Sequence, residues 1–150
     1  MTEPDPSTTS RKAIMGLMAR ATLDELRSIA ALAPEAGART LRSPEIGLVM
    51  VRGRIGGDGA PFNLGEATVT RAAVALPGGE IGFGHVLGRD RERARLAALC
   101  DALWQCPDHR PAVEQAAAGI RRRLAAEAQA QRERTAATRV DFFTMVRGED

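Results

Sequence analysis

Aromatic residues are scarce in this 150-residue chain, at 3%: one Trp, four Phe and no Tyr. A core so poor in large rings must be built from Ala, Leu, Val and Ile, which favours close helix packing over a wide aromatic pocket. Lysine is almost missing as well. Lys12 stands alone among 21 basic residues, and the rest are arginine. Codon composition is one reading of that bias. The other is that selected arginines use their rigid fork to pair carboxylates or phosphates two bonds at a time. The net charge of +2 is too small to imply a nucleic-acid or membrane partner. No apolar run approaches the roughly 18 residues of a membrane span. Met1 to Ser10 is acidic and rich in Pro, Ser and Thr, without the apolar centre of a signal peptide, so a cytoplasmic location is expected. The only two cysteines, Cys100 and Cys106, should then stay reduced. Cys106 and His109 lie three residues apart, but zinc wants four ligands and His85 is the only other histidine, so no metal site is expected.

What the chain does have is length enough for one domain with a sizeable core. Residues 1–9 are expected to be disordered, and residues 10–150 to form a single domain. The spacing of Ile14, Leu17 and Met18 predicts a first helix over Ser10–Ala21. A second starts at Thr22, where the Thr hydroxyl and Glu25 have the spacing of a capping box, and ends at Pro34. The period then changes to two. Strands are expected over Ile46–Ile55, Ala67–Leu76 and Glu80–Leu87, separated by the turns Gly56-Gly57-Asp58-Gly59 and Pro77-Gly78-Gly79. A third helix fits Asp90–Gln105, carrying Leu96, Leu99, Cys100, Leu103 and Trp104 at helical spacing. A long fourth helix, from Pro111 to Thr138, has only a thin stripe of Val113, Ala117, Ile120, Leu124 and Ala128. The fold class is α+β: two N-terminal helices, a three-stranded antiparallel meander, two C-terminal helices and an extended apolar tail.

Several constellations carry chemical interest. The run Gly53 to Gly59 lacks the Gly-Lys-Ser/Thr ending of a phosphate loop and is followed by Pro61-Phe62, so it reads as a hairpin turn. In the second strand, Glu66, Thr68 and Thr70 share one face while Arg71 lies on the other, beside Val69 and Ala73. An arginine among small apolar neighbours needs a partner. That partner is either an internal acid or a phosphate or carboxylate from outside, the second reading making Arg71, Thr68 and Thr70 candidate substrate contacts. Gly82 and Gly84 fall on one side of the third strand, forming either a flat shelf for another backbone or ligand, or a tight bend. His85 is a satisfied core or rim histidine or, with Glu66, a general base of a free-standing enzyme. Arg121-Arg122-Arg123 and Arg132-Glu133-Arg134 are interrupted by acids and lack interleaved aromatics, which reads as a solvated helix face. A small basic nucleotide- or RNA-binding adaptor is the competing reading.

The tail gathers half of the four phenylalanines in one place: Arg139-Val140-Asp141-Phe142-Phe143-Thr144-Met145-Val146-Arg147. Burying two Phe side chains yields on the order of 1.5–3 kcal/mol each. Residues 139–150 are therefore expected to dock, with Phe142, Phe143, Met145 and Val146 as anchors and Arg139 and Arg147 making charged contacts beside them. No acid/base pair and no nucleophile–base arrangement stands out, so no catalytic residue is assigned.

The segments Gly65-Glu66-Ala67-Thr68-Val69-Thr70-Arg71-Ala72-Ala73-Val74 and Arg139 to Gly148 resemble the PhnG family. Glu45-Ile46-Gly47-Leu48-Val49, the Gly56 to Gly59 turn, Gly88-Arg89-Asp90 and Asp101-Ala102-Leu103 fit the same family, in a register running from about residue 10 to 150. The resemblance implies an accessory subunit of the bacterial carbon–phosphorus lyase core complex, working with PhnH, PhnI, PhnJ and an ATPase-like subunit in phosphonate breakdown. The implied reaction joins methylphosphonate to ribose C1 of ATP and expels adenine, giving ribose 1-methylphosphonate 5-triphosphate. In that family the adenine-displacing chemistry is attributed to PhnI and the iron–sulfur cluster to PhnJ. It follows that this chain binds no cofactor of its own, and two cysteines are too few for a four-thiolate cluster.

Overall fold

In a computed structural model of the chain, residues 6–32 and 37–138 are described, with the side chains of residues 6–9 excepted. The elements run α1 (Pro6–Met18), α2 (Leu23–Ala30), β1 (Arg39–Arg54), β2 (Pro61–Ala75), β3 (Ile81–Leu87), α3 (Arg91–Gln105) and α4 (Arg110–Ala137). The α+β meander is as expected, with antiparallel strand order β1-β2-β3. Several boundaries differ. Helix α1 starts at Pro6, so residues 6–9, expected to be disordered, belong to a helix. Proline suits a first helical position because its missing N–H would have had no partner there. Helix α2 ends at Ala30, ahead of Pro34, which lies outside the described residues. Strands β1 and β2 are much longer than Ile46–Ile55 and Ala67–Leu76. Pro44, Pro61, Asn63 and Gly65 look like loop residues. They are tolerated because β1 is an edge strand, β2 has no second neighbour before Val69, and the ladder is irregular, with register shifts between Arg42 and Glu45 and between Val51 and Arg52.

The capping box forms as its spacing requires. The Glu25 amide donates to the Thr22 hydroxyl at 3.3 Å, and the Thr22 amide donates to Glu25 Oε2 at 2.8 Å. At the turn between β1 and β2, Gly56 and Gly57 take φ of 65° and 89°, a region closed to most L-residues.

Helix α3 is the centre of the molecule. Ala94, Ala97, Ala98, Cys100, Ala102 and Leu103 are buried within it, and α1, α2 and α4 pack around it through Met18, Leu26, Ile29, Val113 and Ile120. The small residues of α3 lie on the sheet, where Gly82 and Gly84 turn towards them. A methyl group at Gly82 would strike the Ala98 carbonyl, and one at Gly84 the Ala94 carbonyl. The glycine shelf therefore receives the backbone of this chain's own helix. With alanine on one side and glycine on the other, helix and sheet approach closely, which is how a core with so few rings is filled. Helix α4 buries Val113, Ala117 and Ile120 in its first turns only.

Candidate functional site

Register decides what shares a face. On the side of the sheet turned to α3 lie Thr70, Ala72 and Val74 of β2 and Gly82, Gly84 and Val86 of β3. On the other side Arg71 stands opposite His85, Ala73 opposite Phe83, and Val69 opposite Leu87. Glu45 of β1 is the partner of Arg71 across the other ladder. Arg71 Nε donates to Glu45 Oε1 at 2.7 Å, and Arg42 reaches the same oxygen at 3.4 Å. Around this polar centre the outer face is apolar and open, with Ile81 41%, Phe83 43% and Leu87 71% exposed.

Arg71, Thr68 and Thr70 do not meet on one surface. Thr70 is fully buried on the helix side, and its hydroxyl donates to the Gly88 carbonyl at 2.7 Å. The Thr68 carbonyl accepts from the Gly88 amide at 2.9 Å. The two threonine positions thus hold the turn at Gly88, just ahead of Asp90, whose carboxylate caps α3 by accepting from the Arg93 amide at 2.9 Å. Their part is to aim α3 at the sheet. Arg71 lies on the opposite face, with its internal acid found. Pairing His85 with Glu66 fails for the same geometric reason: Glu66 stands opposite Met50, on the parity of Thr68, and His85 has the parity of Arg71. The tail residues Arg139, Phe142, Phe143, Met145, Val146 and Arg147 lie outside the described residues.

The sequence reading missed Asp101. This residue is fully buried in α3, yet it accepts three N–H groups: Arg11 Nε at 3.0 Å, Arg11 Nη2 at 2.8 Å and the Phe83 amide at 2.9 Å. Arg11 Nη2 also donates to the Ile81 carbonyl at 2.9 Å, where Gln105 Nε2 donates at 2.7 Å. The first residues of the open edge of β3, at Ile81 and Phe83, are thereby capped by side chains rather than left as a template for another strand. The Asp101 hydrogen bond holds the Arg11 guanidinium above its ordinary range. The signal was an acid inside an apolar stripe, between Cys100 and Leu103; its partner lies 90 positions away.

A second arginine fork ties the helices. Arg123 Nε and Nη2 donate to the two Glu25 oxygens, both at 2.8 Å, and Nη1 donates to Glu127 at 2.8 Å. The hydrogen bonds from Arg123, with the Thr22 amide, lower the Glu25 carboxyl to about 2. Burial pushes the Cys100 thiol up to about 12. Among the described residues, no three of His, Cys, Asp and Glu gather to hold a metal ion, and no helix is long and apolar enough to cross a membrane.

The remaining conspicuous surface is a β-arm. β3 pairs only with Val69–Ala75, whereas β1 and β2 continue together out to Arg54 and Pro61. Beyond β3 the two strands form a ribbon exposing Leu48 62%, Val49 43%, Met50 53%, Val51 39%, Phe62 41% and Leu64 63%, with Ile55 76% exposed at its turn.

Compared with known proteins, residues 9–148 match the sequence family described as phosphonate metabolism protein PhnG. A curated relative from Rhizobium meliloti (strain 1021) is 56% identical over 151 aligned positions, covering 99% of this chain and 96% of the relative. That relative is the alpha-D-ribose 1-methylphosphonate 5-triphosphate synthase subunit PhnG.

Proposed function

Since this chain belongs to the PhnG family, we propose that it is an accessory subunit of a ribose 1-methylphosphonate 5-triphosphate synthase in phosphonate breakdown. The observation that carries this reading is identity of 56% spread over 99% of the chain with a relative named as that subunit. In the proposed role the chain supports transfer of methylphosphonate to ribose C1 of ATP, while sister chains supply the reacting groups. Those sister chains are the PhnH-, PhnI- and PhnJ-type subunits with an ATPase-like subunit, assembled in the cytoplasm, and the iron–sulfur chemistry lies with the PhnJ-type chain.

The state of this chain's own polar groups supports a non-catalytic part. Asp101 is spent on Arg11 and Phe83, Glu25 on Arg123, and Cys100 is held as an un-ionised thiol. Arg71 is engaged by Glu45, so a substrate phosphate would have to displace a carboxylate already in place. The tail anchors Phe142, Phe143, Met145 and Val146, flanked by Arg139 and Arg147, have the makeup of an interface hot spot and belong in this proposal as a docking segment.

The test is recovery of the tagged chain from its host grown on methylphosphonate as sole phosphorus source, followed by an adenine-release assay on the recovered material. Stoichiometric sister subunits, and loss of adenine release when this chain is omitted from a reassembled complex, are expected. A chain recovered alone, stable and monomeric, would refute the reading. Phe142→Ala with Phe143→Ala should weaken assembly without unfolding the domain; intact assembly would remove the tail from the interface.

A further inference from the structure

We infer that the β1–β2 arm is a docking element that inserts between two apolar walls of a heterologous protein subunit. This inference rests on the accessory-subunit reading above and adds where the chain attaches. A two-stranded ribbon has no core of its own and is marginal in water by itself. This one nevertheless carries large apolar side chains on both faces. By register with Glu66 and Thr68, Met50 and Leu48 lie on one face. Val49 and Val51 lie on the other, with Gly53, and a methyl group at Gly53 would strike Leu64 beside Phe62. The second face leads into the outer face of the sheet, reaching Leu87 first and, past His85 and the Arg71–Glu45 pair, Phe83 and Ile81.

Area favours a specific interface over scattered surface leucines. Full burial of one such side chain corresponds to roughly 60–120 Å² of apolar area. At the observed exposures the arm and the adjoining outer face together present about 500 Å² over both faces. That equals the apolar part of the roughly 800 Å² each partner contributes to a stable interface.

Symmetry selects the occupant. A two-fold pair of identical chains applies one patch to itself. Two arms meeting in that way cover one face of each ribbon and leave the other face wet. Enclosing both faces takes a partner with a groove, which a sister subunit of different sequence supplies. The ribbon's outer end adds Arg52 and Arg54 on the face of Leu48 and Met50, so the groove should be apolar along its length with acceptor oxygens at its far end.

The test is co-expression of the full chain, tagged, with the sister subunits of its complex, followed by affinity recovery and mass spectrometry. Leu48→Thr, Met50→Thr and Leu64→Thr are combined, keeping strand-compatible residues on both faces. Lys12→Gln, on the helical side, is the control. If the wild-type chain recovers no sister subunit, the accessory-subunit reading fails and this inference falls with it. If wild type and control recover them in full, at least a tenfold loss in the triple variant is expected. Full recovery by the triple variant overturns the arm alone and leaves the subunit reading standing. A free chain that is dimeric by light scattering and turns monomeric in the triple variant would assign the arm to a second copy and overturn the inference. Should the triple variant fail to fold, amide exchange in the wild type decides: Leu48–Val51 and Phe62–Glu66 should be protected at least tenfold in the complex relative to the free chain. Equal exchange in both overturns the inference.

Discussion

Replacing Asp101 by Ala removes an acceptor for three N–H groups from a site with no access to water. Breaking one side of a buried ion pair costs about 3–5 kcal/mol when the surviving charge stays dry. Here the survivor is Arg11, whose side chain is 30% exposed and which keeps its bond to the Ile81 carbonyl. Its charge can rehydrate in part, which lowers that figure. The Phe83 amide has no such exit, and an unmade bond at a buried donor costs about 1–3 kcal/mol. Together these give a loss of about 3 kcal/mol, or roughly 6–12 °C in Tm for a chain of this size. Urea unfolding followed by circular dichroism measures it, provided the slope with denaturant is unchanged. Arg11→Met and the double variant close a thermodynamic cycle in which a coupling of at least about 1 kcal/mol is expected. A loss below about 1 kcal/mol in Asp101→Ala, or purely additive single changes, would show that this cluster does not hold α1, α3 and β3 together.

Gly84→Ala should push α3 off the sheet, costing about 1–3 kcal/mol, with melting temperature as the readout; an unchanged Tm would mean that the close approach at Ala94 is slack. Glu25 has a folded pKa lowered to about 2 from an ordinary 4.5, chiefly by Arg123, so its contribution is complete above pH 4.5 and is lost as pH falls from 4.5 towards 2. Discounted for the water at its exposed edge, that contribution is about 2 kcal/mol. Glu25→Gln should therefore be less stable than wild type by that amount at pH 7, with the gap narrowing below pH 4; a gap independent of pH would refute the linkage. Cys100, with its thiol pushed up to about 12, should resist iodoacetamide at pH 8 in the native chain and react once unfolded. Native-state alkylation at the rate of a free thiol would contradict the packing around it.

Local signals carried far in this chain. Thr22 and Glu25 announce a capping box three residues apart, and the box forms. The third and fourth helices and the third strand fall within a residue of where periodicity and flanking turns put them. The arm did not show itself. Pro44, Pro61, Asn63 and Gly65 each argue against a strand on propensity, and only a pairing partner across the ladder overrides them. Asp101 was visible as an acid in an apolar stripe, but nothing within a few positions of it names Arg11 or Phe83.

What the sequence determined by itself was whatever depends on neighbours a few residues apart: helical and strand periods, caps, glycine turns and the thinness of the α4 stripe. These follow from backbone geometry and side-chain chemistry within one or two turns of chain. Tertiary structure decided which face of the sheet the helices cover. It therefore decided that Thr70 is buried while Arg71 is open and tied to Glu45, and that His85 and Glu66 point apart. It also decided that the glycine shelf receives α3 and that the ribbon beyond β3 is left bare. Those outcomes turn on register between segments tens of residues apart, where a shift of one residue exchanges the two faces of a strand.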